Sequence, residues 1–119
     1  MNIQTAIMAL VQSEKIKSGL IWVSQALELL LHLSANDKQG AERISKSLMN
    51  FILFEVHTAK QAAPDATWEE IEKNIDLAII MINSGVPQES VYHLTRALSF
   101  VTNIGQRSMS YLKKEGFLK

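Results

Sequence analysis

The run Leu20-Ile21-Trp22-Val23-Ser24-Gln25-Ala26-Leu27-Glu28-Leu29-Leu30-Leu31-His32-Leu33 is the densest apolar stretch in the chain. It is about 14 residues long, against the ~20 mostly apolar residues that a membrane-spanning helix needs. It also carries Ser24, Gln25, Glu28 and His32. It therefore reads as a core helix of a protein with no membrane association. Its apolar residues recur at helical spacing: Ile16, Leu20, Val23, Leu27, Leu30 and Leu31 share one arc at about 100° per residue. Trp22, Ala26, Leu29 and Leu33 form a second stripe beside it. A peripheral bundle helix needs only one apolar face, so this second stripe is a candidate interface. A homo-oligomer, with a dimer first, is the simplest way to cover it.

Upstream, Ile3, Ile7, Leu10 and Val11 fall roughly opposite the main arc. The phase slips between Gln12 and Gly19, which predicts a first helix bent or broken near residues 12–19, or an N-terminal arm packed on something else. Downstream, turn signals are few: Ser34-Ala35-Asn36-Asp37, Ala63-Pro64-Asp65-Ala66 and Ser84-Gly85-Val86-Pro87. They divide the chain into four segments of helical periodicity. In the second, Ala41, Ile44, Leu48, Phe51, Ile52, Val56 and Ala59 share a broad arc. Trp68, Ile71, Ile75, Ala78, Ile79 and Ile82 do so in the third. In the fourth the arc is Val91, Leu94, Leu98, Val101, Met109 and Leu112, with Gly105 in its middle to admit a close neighbour. Thr67-Trp68-Glu69-Glu70 reads as a capping box. Gly85 then ends the third helix and Pro87 starts the fourth. Gly116 reads as a left-handed cap that puts Leu112 and Phe117 at the two touching positions of a Schellman motif. The fold expected is all-α: one antiparallel up-and-down four-helix bundle spanning residues 1–119.

Composition narrows the function. The 119 residues carry 12 basic and 12 acidic side chains, no cysteine, five glycines and two prolines. Without cysteine there is no disulfide, no thiolate metal site and no thiol nucleophile. Net charge zero argues against nucleic acid. The balance is local, however. Residues 64–85 carry Asp65, Glu69, Glu70, Glu72 and Asp76 against Lys73, whereas residues 86–119 carry Arg96, Arg107, Lys113, Lys114 and Lys119 against Glu89 and Glu115. An acidic third helix beside a basic fourth reads as register selection within the bundle.

Candidate chemistry is sparse. Glu55 falls near the centre of the second arc, where a carboxylate has to be paired, hydrogen-bonded or protonated. It is the candidate buried polar residue, and the alternative reading of the protein is a small-ligand or metal-binding bundle centred on it. A di-iron bundle needs inward carboxylates from every helix and two Glu-x-x-His motifs, and the sequence has no Glu-x-x-His. Glu28/His32 and Glu89/His93 share helix faces at i,i+4, but His-Glu-x-x-His is absent. So are the phosphate-loop, dinucleotide and nucleophile-elbow glycine motifs and the Arg-then-His spacing of small helical nucleases. The expectation is a cytoplasmic protein with no catalytic residues, no metal and no cofactor, acting through protein–protein contact as an adaptor, chaperone-like module or regulatory partner.

Overall fold

A computed structural model describes residues 1–118. Lys119, counted above with the basic segment, lies outside the described residues. Four helices follow one another with short turns: α1 (Ile3–Leu30), α2 (Ala35–Ala62), α3 (Thr67–Asn83) and α4 (Pro87–Lys114). They pack in sequence order around a square, α1 on α2, α2 on α3, α3 on α4 and α4 back on α1, with no close backbone approach across the diagonals among the described residues. This is the up-and-down four-helix bundle, 53 Å along its longest dimension. Three helices have 28 residues and α3 has 17. At ~1.5 Å per residue the long ones reach about 42 Å, so α3 covers only part of the length of α2.

The turns follow local chemistry. Gly85 adopts φ +80°, with Val86 N–H donating to Met81 O and Gly85 N–H to Ile82 O, and Pro87 is the first residue of α4. Gly116 repeats the arrangement at φ +75°, where Phe117 N–H donates to Leu112 O and Gly116 N–H to Lys113 O. Both are Schellman motifs at the positions the sequence marked. The capping box, in contrast, forms elsewhere. Asn2 and Thr5 cap α1 reciprocally. At α3 the Thr67 hydroxyl caps nothing. Asp65 Oδ1 accepts from Thr67 N–H at 2.8 Å, and Arg107 Nη2 of α4 donates to Thr67 Oγ1 at 3.2 Å. Asp65 precedes Thr67 by two residues and offers a charged acceptor to the free N–H groups of the first turn, so it displaces the threonine from that role.

The core comprises Ile16, Leu20, Val23, Leu27 and Leu30 from α1, Met49, Ile52, Val56 and Ala59 from α2, Trp68, Ile71, Ile75, Ala78 and Ile82 from α3, and Leu94, Ala97, Val101 and Ile104 from α4. Trp68 is fully buried, its indole N–H held by Ala63 O at 2.9 Å. Two expectations change. First, α1 does not break at residues 12–19. Its buried line continues upstream through Ser13, Gln12, Ala9 and Ala6, all small or polar, so the phase slip is a change of residue type on one continuous face. The small side chains let α4 come close: a Cβ added at Gly105 would stand 2.9 Å from Ser13 Oγ. Second, the inward line of α2 is Ser45, Met49, Ile52, Val56 and Ala59. Ile44, Leu48 and Phe51, read from the sequence as core, are exposed. The apolar arc of α2 is wider than the strip its neighbours can cover, and contact with α1 and α3 selects one edge of it.

Candidate interaction face and its polar seam

The α1–α2 seam is fixed by polar contacts at one end and close packing further along. Gln12, 6% exposed, donates from Nε2 to both Glu55 Oε2 and Glu55 O, each at 3.2 Å. Lys15 Nζ stands 3.2 Å from the same Oε2. A Cβ at Gly19 would meet Ile52 Cγ1 at 3.1 Å. Glu55 is thus not at the centre of a buried arc. Its side chain is 29% exposed and sits at the edge where α2 meets α1, because the inward line of α2 runs through Ile52 and Val56 instead. The Gln12 hydrogen bond, followed by the ammonium of Lys15, holds its carboxyl below the ordinary glutamate value against the opposing effect of burial. Gln12 and Lys15 both engage the same oxygen, Oε2, of Glu55. No group of three or more potential metal-binding side chains occurs among the described residues.

The sequence offered a signal for Gln12 that a search for apolar arcs passes over. Gln12 precedes Ile16 by four residues on the same face, at the start of the stretch where apolar periodicity fails. A long amide there is the natural partner for a carboxylate across the seam, since a buried polar group requires a hydrogen bond.

Beyond Gly19 the seam turns apolar on its outer side. Gln12 and Lys15 lie opposite Glu55, and Gly19 lies opposite Ile52. Continuing this antiparallel register places Trp22 level with Leu48 and Ala26 level with Ile44. The side of α1 that carries Trp22, Leu29 and Leu33 adjoins the side of α2 that carries Ile44, Leu48 and Phe51. Exposures are 71% for Trp22, 70% for Leu29, 65% for Ile44 and 68% for Phe51, and Leu33 and Leu48 are about two-fifths exposed. Ala26, between them, is half-buried. Arg43 lines the same surface depression as Ile44, Leu48 and Phe51, at its rim; the only charged residues within residues 16–33 and 44–54 are Lys17, Glu28 and Lys46. Helical geometry turns all three to other sides; Lys46 reaches Asn83 of α3 at 2.9 Å.

The remaining candidates stay apart. His32 and His57 are exposed, and His93 is half-buried with its ring edge-on to Tyr92 at 5.2 Å between centroids. Neither Glu28 with His32 nor Glu89 with His93 forms an ion pair among the described residues. The described ion pairs are Lys15–Glu55, Lys17–Glu14, Lys60–Glu72 and Arg107–Asp65. Of the expected acidic-third, basic-fourth pairing, the described ion pairs include only Arg107 of α4 on Asp65, in the turn before α3, at 3.1 Å; Glu72 of α3 pairs instead with Lys60 of α2. Burial pushes the Asp65 carboxyl up, but the Thr67 backbone and hydroxyl together with Arg107 bring it below its ordinary value.

Fold and surface together define a four-helix bundle whose α1/α2 layer presents an uncovered apolar face. No protein-family model, curated protein or solved structure matches this chain.

Proposed function

We propose that the protein works by protein–protein contact through the outer face of α1 and α2. The observation that carries this reading is the meeting, on one seam, of two apolar stripes that the fold leaves in water. At roughly 150–250 Å² per aromatic side chain and somewhat less per aliphatic one, the exposures of Trp22, Leu29, Leu33, Ile44, Leu48 and Phe51 amount to on the order of 700 Å². The largest apolar patch on a typical monomer is ~300–600 Å². Depletion of charge from the centre of the patch, with aromatic anchors inside it, matches the composition of interface cores. No helix among the described residues is long and apolar enough to cross a membrane. A cytoplasmic location and the lack of enzymatic activity belong to the same proposal; they rest on composition and on missing motifs.

The test is site-specific photo-cross-linking in cells that naturally make the protein, with a benzophenone amino acid at position 51 or at position 80. Ile80 is an exposed apolar residue on α3 and serves as the control. Discrete adducts from position 51, and none from position 80, are expected. If position 51 gives no discrete adduct, the face does not contact protein and the reading fails.

A further inference from the structure

We infer that the occupant of this face is a second copy of the same chain, an α1/α2 layer packed on an α1/α2 layer across a two-fold axis. The inference rests on the reading of that face as a protein contact. The first argument is area. A stable interface of standard size buries ~800 Å² per partner, and the six side chains above expose on the order of 700 Å². The match is to the whole patch, so a small peptide would leave much of it in water.

The second argument is charge. A face built for a different, charged partner carries a rim of one sign, because complementary potentials steer association. Here the rim is mixed. The polar end of the seam is the Lys15–Glu55 pair, already closed on itself at 3.2 Å. The chain as a whole carries 12 basic and 12 acidic groups, so two copies approach without net repulsion. An isologous contact requires one patch that complements itself, and an apolar patch on a neutral chain, rimmed by Lys15, Glu55 and Arg43, does so. A lipid surface is the less fitting occupant. Helices that lie on membranes flank their apolar face with clustered Lys and Arg, whereas Lys15 is tied to Glu55 and no basic cluster borders Trp22 or Phe51.

The experiment is sedimentation equilibrium on the full chain across a wide concentration range, with circular dichroism on each variant. The wild type is expected at twice its 13.3 kDa chain mass. Phe51→Glu is expected to weaken association at least tenfold with helix content unchanged, and Ile80→Glu to leave it as in the wild type. Should Phe51→Glu not fold, Trp22→Ala removes area without adding charge and is expected to weaken association as well. A wild type at the single-chain mass at every concentration overturns the inference, as does a dimer indifferent to both Phe51→Glu and Trp22→Ala. The cross-linking separates the two proposals. A single-chain mass with discrete position-51 adducts to a different protein overturns the second copy alone. A single-chain mass with no adducts, or with retention on phosphatidylcholine vesicles instead, overturns both.

Discussion

In α3 and α4 few apolar positions stay in water: Trp68, Ile71, Ile75, Ala78 and Ile82 are buried, as are Leu94, Val101, Ile104 and Leu112, and only Ile80, Tyr92 and Met109 are exposed. In α1 and α2, helices of the same bundle with the same antiparallel neighbours, a comparable set of positions goes inside and a further set stays in water. The contrast is sharpest between the two tryptophans. Trp68 is fully buried with its indole N–H satisfied, and Trp22 is 71% exposed. A square of four helices has one interior, and each helix can turn only one strip toward it. Where a helix carries a single apolar strip, hydrophobicity and burial coincide. Where it carries two, the second is uncovered unless something outside the chain covers it.

The largest effect should separate the tryptophans. Trp68→Ala is expected to cost about 3–5 kcal/mol of stability by denaturant unfolding, as for other buried aromatic truncations. Trp22→Ala, measured dilute enough to be a single chain, should change it by less than about 0.5 kcal/mol, as for an exposed site. Similar losses at the two positions would erase the distinction between the halves.

An intermediate effect tests the close α1–α4 approach that lets α1 run unbroken. Gly105→Ala gains up to ~1 kcal/mol of helix propensity but sets a Cβ 2.9 Å from Ser13 Oγ. A net loss of about 1–2 kcal/mol is expected, in the range of mild overpacking. Adding Ser13→Ala removes the clashing oxygen and leaves the Ser13 Cβ position at 3.7 Å, an ordinary contact. The double variant should recover the lost stability; if it does not, the close approach is not what the glycine serves.

The smallest effect concerns the polar end of the seam. Glu55 has a folded-state value below its ordinary one. Its contribution is therefore fully present above the ordinary glutamate range and is lost as pH falls through the lowered value. The side chain is part exposed, so no more than about 1 kcal/mol is at stake. Between about pH 5 and pH 3 the wild type should lose slightly more stability than Glu55→Gln. Equal losses would mean that Gln12 and Lys15 do not hold the carboxylate.

The helices, their order, their three turns and the caps at Gly85 and Gly116 were legible because the signals are local: period 3.6, Gly85 before Pro87, Gly116 four residues after Leu112. What covers each stripe was not legible. The sequence marks Trp22 and Leu29 as surplus on α1, because a second stripe shows on the wheel. It hides the matching surplus on α2, because Ile44, Leu48 and Phe51 merge with Ile52 and Val56 into one arc, and only packing against α1 and α3 decides which edge turns inward. The same ambiguity put Glu55 at the centre of an arc whose true inward line lies to one side of it. Gln12 escaped notice for the complementary reason: it is a polar residue on a buried line.

The most direct test of the α1/α2 face uses Trp22 itself. In Trp68→Phe it is the sole tryptophan, and its emission and accessibility to acrylamide can be followed from dilute to concentrated protein. The account predicts red-shifted, readily quenched emission when dilute and a cooperative shift to blue-shifted, protected emission as concentration rises. Emission that stays red-shifted and equally quenchable at every concentration, with helix content intact, would contradict it.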